Sequence, residues 1–517
     1  MRKLLLFAAL LLTSLQGKAD WNTSLTTNTQ ITPTGVAYYD KELKTNQNGR
    51  TYILIVGPAE NSLFYRLQVM DADGNKKLGR AGTVVSSEVN RTWTTWNEYL
   101  EVDNDGNAFV AVQDGRVSGT STSLTYALYK YDQDGKSLWD TPVILNDSIG
   151  FPMGGGLQMQ VTPDNGVLCA YEYTEDDARD IVVLEKLDAT GKQQWKKTIF
   201  TGGRLSRPYP FLGDAGDGNV LVVWVDGSEM QANVVNATTG ELQNETPTTV
   251  YTNGFVSSKV MDIIDMKPGP DNGLLFSIVD SNKQGRLVYV KKDATNGLDG
   301  SNAGVLVDQS GTGLASTGPA VSYSPETETF TCFYKVFDND SSKYQSLYMQ
   351  QLDKEGNMKW QGGKQYLDFQ TDDQYSYFES SDAGDGKTAV FYLKYNNTTF
   401  YVTGEYIVID KDGNLSKEAT QFAASTGKKI GLWASEKQSN GKYLVAWEEK
   451  REQYDYTIFM QPVSDTESDG IASVESDQTD GSAVTEVYTL SGVKMDKPTS
   501  GINIVKLENG KTVKIVK

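Results

Sequence analysis

Apolar residues fall in short runs along this chain, and each run is bounded by turn residues. Tyr52-Ile53-Leu54-Ile55-Val56, Ala108-Phe109-Val110-Ala111-Val112, Val220-Leu221-Val222-Val223-Trp224 and Tyr443-Leu444-Val445-Ala446-Trp447 are rich in β-branched and aromatic residues and follow glycine turns. That composition predicts strands rather than helices. The runs are apolar at successive positions, so both faces of each strand are buried. A strand reads that way when its sheet is sandwiched between two others. No stretch carries the period of an amphipathic helix of useful length.

The turns repeat. Asp132, Gly135 and Trp139 share their spacing with Asp188, Gly191 and Trp195, and again with Asp353, Gly356 and Trp360. Asp71/Gly74 and Asp410/Gly413 keep the turn without the Trp, while Asn236/Gly240 and Asp293/Gly297 are looser copies, one residue longer. A second glycine turn recurs at Gly49, Gly106, Gly166, Gly218, Gly273, Gly386 and Gly441, with Glu326-Thr327-Glu328 as a degenerate copy. The unit is about 55 residues long and occurs about eight times, which suits four short strands with their turns. Radial repetition of four-stranded sheets is the plan of a β-propeller, so the expected fold is all-β, an eight-bladed β-propeller over residues 20–465.

The chain ends predict how the ring closes. Trp21 precedes Gly49 much as Trp139, Trp195 and Trp360 precede their next turn glycines. It therefore stands where a unit's outermost strand should start. The last unit has no Trp-marked outer strand of its own, and the N-terminal strand would supply it, leaving no open edge.

Composition narrows the chemistry. The formal charge of -19 repels phosphate backbones, so nucleic acid is not an expected partner. There is no histidine, which excludes His-dependent triads, His general bases and His-ligated metals. Cys169 and Cys332 are too few for a zinc site and fall in the third and sixth units. A disulfide needs Cα atoms within about 7 Å, so both are expected to be buried free thiols. No cofactor or metal is expected.

The first residues set an address. Met1-Arg2-Lys3 is basic, Leu4 to Leu12 is apolar, and Gly17-Lys18-Ala19 is a small-x-small site before Asp20. Residues 1–19 therefore read as a signal peptide. The apolar run is about half the ~20 residues a membrane span needs, and no transmembrane segment is expected elsewhere.

Two resemblances follow from these motifs. The Leu-Asp-x-x-Gly-x-x-x-Trp turn followed by Asp-Gly-Asn and an apolar run resembles the repeats of large bacterial secreted β-propellers. Residues 466–482 read as an acidic, Ser-rich linker opening the C-terminal module. Then Glu486-Val487-Tyr488-Thr489-Leu490-Ser491-Gly492, Gly501-Ile502-Asn503-Ile504-Val505-Lys506 and Gly510-Lys511-Thr512-Val513-Lys514-Ile515-Val516-Lys517 look like the C-terminal sorting module of type IX secretion. Asn503 stands where that family usually has Tyr. The resemblance implies a small β-sandwich over 483–517, the secretion machinery as a partner, and delivery to the medium or the outer-membrane surface of a Gram-negative bacterium.

Candidate sites are few. Asp71-Ala72-Asp73-Gly74-Asn75 and Glu101-x-Asp103-x-Asp105-Gly106 have the carboxylates of a calcium loop. Position 112, where a closing Glu would stand, is Val, and Asp-Gly is also a common hairpin turn; the hairpin is the expected reading. Trp93 and Trp96 form an aromatic cluster that is either a stacking platform for a ligand or part of the core. The repeated Trp139, Trp195 and Trp360 recur at one repeat position and are structural. Sialidase-type boxes differ in spacing, and Arg179, Arg204, Arg207 and Arg286 lack the context of an arginine cluster, so no catalytic residue is assigned. The functional expectation is a non-catalytic, secreted or cell-surface binding protein for an extracellular polymer, such as a glycan, or for a host protein. The alternative is a glycan-active hydrolase or lyase on the same scaffold. Paired Asp/Glu facing inward about 5–10 Å apart would mark it.

The leader makes a direct prediction. N-terminal sequencing of the exported protein should begin at Asp20; a chain that still begins at Met1, or starts well past Trp21, refutes the cleavage site.

Overall fold

A computed structural model gives the arrangement. It describes residues 21–465 other than 34–38, 47, 60–61, 87–98, 115, 117–124, 146–155, 176–178, 204–207, 256–262, 283, 299–300, 308–319, 338–343, 369–372 and 452–455, together with 484–488, 494–495, 497, 502–507 and 512–516. The chain divides into two compact units, up to Val463 and from Ser464 onward.

In the first unit the described strands form eight four-stranded antiparallel sheets. Seven are simple meanders in chain order. The first sheet, for example, takes Tyr39–Thr45, Thr51–Ala59, Ser62–Met70 and Thr83–Ser86. The first strands of successive sheets touch along much of the unit, so these strands surround a common axis. The apolar runs are the second strands, and their alternation explains why they read apolar throughout. Tyr52 and Leu54 pack toward the second sheet, whereas Ile53 and Ile55 pack toward the eighth. Val167, Cys169 and Tyr171 face the second sheet while Leu168 and Ala170 face the fourth. Each core cluster of the unit is shared by one pair of neighbouring sheets, and the series returns from the eighth sheet to the first. The unit is a β-propeller.

The eighth sheet closes the ring. Its order is Thr29–Gln30, Tyr456–Ser464, Lys442–Lys450, Lys428–Ala434, so its outermost strand comes from the other end of the chain. Thr29 pairs with Met460 and Gln30 with Phe459. The strand thus lies beyond Trp21, which is not itself in a strand. Trp21 has a different task. Its indole N–H donates to the Ala72 carbonyl at 2.8 Å, and its ring lies against Gly74 in the first sheet's turn. The short N-terminal segment therefore touches three sheets. Leu25 accepts a hydrogen bond from Ala424 of the seventh at 2.7 Å, Thr29–Gln30 pairs within the eighth, and Trp21 docks on the first.

The repeated tryptophans do the same between other sheets. Trp139 lies against Gly191 and donates to Ala189 O at 3.2 Å, and Trp195 lies against Gly240 and donates to Ala237 O at 3.1 Å. Trp360 covers Gly413, and there the equivalent carbonyl, Lys411 O, is taken by the Lys359 ammonium. Leu78 fills the same place over Gly135. Each is a side chain from one sheet clipped onto the turn of the next.

Cys169 and Cys332 are buried in the third and sixth sheets, and neither is in a disulfide. In the second unit the described residues form one four-stranded antiparallel sheet, in the order Lys494–Met495, Val484–Tyr488, Ile502–Leu507, Thr512–Val516. Val487 and Val505 are buried on it with Met495 packed against them. A second layer, which a sandwich needs, is not among the described residues.

The clips give a clean comparison. Gly240 (φ +73°) and Gly218 (φ +74°) are both left-handed, but a Cβ on Gly240 would meet Trp195 at 2.8 Å, whereas one on Gly218 meets nothing within 4 Å. Both Ala substitutions strain the backbone; only Gly240→Ala also forces the indole aside. It should destabilise by about 1–3 kcal/mol more than Gly218→Ala, read as the difference in urea unfolding midpoints. Equal losses would show that the clips contribute nothing.

Candidate functional site

An antiparallel meander sends its first and third turns to one end of the sheet. Most of these are short glycine turns; the sixth sheet has Pro325-Glu326-Thr327-Glu328 at its first, and the eighth, whose fourth strand is Thr29–Gln30, has no third. Most residues of the longer Gly-, Ser- and Thr-rich stretches Val117–Thr125, Phe151–Gln158 and Leu298–Pro319 lie outside the described residues. Trp93 and Trp96 also lie outside them.

The calcium reading of the Asp turns does not match the geometry. Asp71 Oδ1 accepts the backbone N–H of Asp73 at 3.1 Å and of Asn75 at 2.8 Å, and Asp188, Asp353 and Asp410 repeat the pattern. The Thr190 hydroxyl and the backbone donors hold the Asp188 carboxyl below its ordinary range. Around position 103 the three carboxylates diverge. Glu101 binds Lys44, Asp103 takes its own turn and the buried Lys130, and Asp105 accepts from Asn165. These oxygens are turn-forming acceptors. Arg286 is likewise spent, on Asp280 at 2.6 Å and the Gly304 carbonyl.

The axis is where chemistry collects. Innermost strands read apolar on one side and polar on the other: Glu42-Leu43-Lys44, Tyr99-Leu100-Glu101, Gln158-Met159-Gln160. Leu43, Leu100 and Met159 are buried in the cores between sheets. Glu42, Lys44, Glu101, Gln158 and Gln160 stand on the other side of their strands, a consequence of the two-residue period, whereas Tyr99 packs against the next core. Lys44, Glu101, Gln160 and Lys267 each stand two residues before the first turn of their unit, at Asn46, Asp103, Thr162 and Gly269.

A cavity of about 510 Å³ opens there, lined by Glu42 to Asn46 from the first sheet, Trp433 to Ser439 from the eighth, and Lys267 from the fifth. That volume is in the range of small-ligand sites. Its lysines are engaged. Lys44 pairs with Glu101 of the second sheet at 2.9 Å, Lys267 pairs with Glu379 of the seventh at 3.7 Å, and Lys437 donates to Ala383 O at 2.8 Å. The Lys267–Glu379 pair joins sheets that are not neighbours. Tyr99 and Tyr209, from the second and fourth sheets, bring their hydroxyls to 3.4 Å, and Tyr209 feels the charge of Glu42.

Glu42 is the unusual group. It keeps partial contact with the cavity but is surrounded by protein, and that burial pushes its carboxyl up to about 7, against the pull of Lys44 and with a push from Glu101. Lys44 is raised, chiefly by the Glu101 charge. Another buried charge cluster has a different character. Lys429 is fully buried and donates to Val402 O and Ser425 O, both at 2.8 Å, while Glu449 binds Arg451 at 2.8 Å. Arg451 in turn reaches Thr27 O at 3.2 Å, so this cluster fastens the closing segment. A larger cavity, about 810 Å³, lies between the turns of the fifth and sixth sheets, but its Lys354–Glu328 pair is mostly in solvent.

Glu42, Lys44, Lys267, Glu379 and Trp433 were not singled out by the sequence reading above. The available signal was the polar side of each innermost strand, counted back from the first glycine turn.

No family model matches the chain, and no curated protein does. Among solved structures, polysaccharide lyase Uly1 is 10% identical, with 87% of this chain and 93% of that chain covered and a TM-score of 0.42. The WD40 domain of SCAP from fission yeast is 9% identical over 83% and 93%, with a TM-score of 0.40. The propeller domain of the Trilobed protease from Pyrococcus furiosus is 9% identical over 75% and 96%, with a TM-score of 0.36. Similarity this low attaches none of their activities to this chain. Among the described residues, no helix is long and apolar enough to cross a membrane.

Glu42 yields a stability prediction. Its carboxyl holds a proton more tightly folded than unfolded, so between about pH 4.5 and about pH 7 the folded state binds more protons. Its contribution to stability is full below about pH 4.5 and is lost as the pH rises through about 7. Relative to Glu42→Gln, the wild type should lose at most about 3 kcal/mol across that window. Unfolding midpoints measured for both proteins at several pH values check this; parallel profiles would refute it.

Proposed function

We propose that this protein is a secreted or surface-held eight-bladed β-propeller that binds an extracellular polymer or a host protein at the mouth of its central channel. Residues 1–19 serve as its export signal, and the module from 483 onward delivers it through a type IX route. The observation that supports binding at this place is the state of the lysines. Lys44, Lys267 and Lys437 face a preformed cavity with their hydrogen-bonding capacity already directed at protein partners. Such a site is ordered before a ligand arrives, which lowers the cost of binding.

A second reading, a glycan-active hydrolase or lyase, is favoured by one observation. Glu42, with its carboxyl at about 7, and Glu101, ion-paired to Lys44, are two carboxyl groups in different environments around one lysine. Carboxyls in contrasting environments are how general acids and bases are separated.

A panel of polysaccharides and matrix proteins, assayed for both retention and product release, separates the two. The binding reading expects retention without new products. Product release that disappears in Glu42→Gln would replace it with the enzyme reading.

A further inference from the structure

The cavity beside the innermost strands has walls of unlike chemistry. Trp433 is half-buried, packed against the core between the eighth and first sheets while also lining the cavity. Opposite it are Glu42 and Lys44. Gln438 also lines the cavity, and its amide nitrogen, Nε2, is buried and has no acceptor among the described residues. An unused buried donor is costly in a native protein, and it marks a place where an acceptor is expected.

The charges say what kind of acceptor. A polyanion would need free cations, but the ammonium groups here are held by Glu101, Glu379 and the Ala383 carbonyl. A polycation would need free carboxylates, but Glu42 is buried beside Glu101 in surroundings that oppose its ionisation, Lys44 on its own strand and Lys267 from the fifth sheet are already paired to Glu101 and Glu379, and Glu436, the other carboxylate of the lining, already has a partner of its own. An aromatic wall, unused amide donors and internally balanced charge suit an uncharged molecule dense in hydroxyl groups.

We infer that the cavity is a subsite for an uncharged sugar unit, with Trp433 as its aromatic wall and Glu42 and Gln438 as hydrogen-bond donors to its oxygens. This rests on the binding reading above and gives it a place and a ligand class. Glu42 donates only when it carries its proton, since an ionised carboxylate can only accept. Sugar affinity at this subsite therefore falls as the pH rises, in the same direction as the proton is lost.

Isothermal titration of the full mature chain with laminarihexaose, cellohexaose and hexagalacturonate, at about pH 5.5 and about pH 8.5, tests it. An uncharged hexamer should bind at the lower pH and weaken at the higher by up to about 30-fold, the ratio of protonated fractions around a pKa of about 7, which is reached when the ionised form does not bind. Glu42→Gln, whose amide donates at any pH, should flatten that profile. Trp433→Ala should abolish binding, and Trp433→Phe should restore part of it, with circular dichroism confirming that each variant is folded. Preference for the galacturonate hexamer, or equal wild-type affinity at both pH values, overturns the inference. Sugar or matrix-protein binding that ignores Trp433→Ala also overturns it while leaving the broader binding reading intact. If neither these sugars nor the polysaccharide and protein panel binds, both readings fall.

Discussion

A four-stranded sheet that is apolar on both faces cannot stand at the end of a stack, because one of its faces would meet water. Tyr52 and Ile53 sit side by side in one strand, yet each is buried in a different core. At roughly 25 cal/mol for each Å² of apolar surface buried, leaving one such face open costs several kcal/mol. A ring in which every sheet has two neighbours removes the problem. Much else follows from that requirement: the repeat, the common axis, the polar side of the innermost strands, and the borrowed strand at Thr29–Gln30 that completes the eighth sheet.

The clips refine a ring that burial alone would leave loosely set. Trp21, Trp139, Trp195 and Trp360 each cover a turn glycine in the next sheet, and three of them add an indole hydrogen bond to a turn carbonyl. Because apolar burial is non-directional, it does not fix how far one sheet slides along another. An indole seated on one particular turn does.

What the sequence made legible was local and repeated. The Asp–Gly turns, the apolar second strands and the spacing of the tryptophans each depend on a few neighbouring residues, so they could be counted along the chain. The closing strand was legible too, from a missing unit at one end and a spare Trp at the other, although Trp21 docks on the first sheet rather than starting the strand. The cavity beside the innermost strands was not legible in the same way. Glu42 and Lys44 read as the polar side of an ordinary strand; their meaning comes from Glu101, Tyr209 and Lys267, which arrive from other sheets. The Lys267–Glu379 pair joins the fifth and seventh sheets, which are not neighbours, and no local pattern reports such a contact. Trp93 and Trp96, the aromatic cluster most visible in sequence, lie outside the described residues.

The borrowed strand also governs when the molecule can be finished. Asn28 donates to Gln461 across 433 residues of chain, so the earlier segment waits for one made much later. Contacts this distant in sequence form late, since the loop between them must be closed before they return any stabilisation. Until then the outer edge of Tyr456–Ser464 and the turn beneath Trp21 lack the partners they have in the finished ring. A growing chain can assemble sheet after sheet, but its last interface is an end-to-end event. The incomplete ring therefore exposes an unpaired strand edge for as long as the two segments are kept apart, and an unpaired edge of that kind is where chains join to one another instead of to themselves.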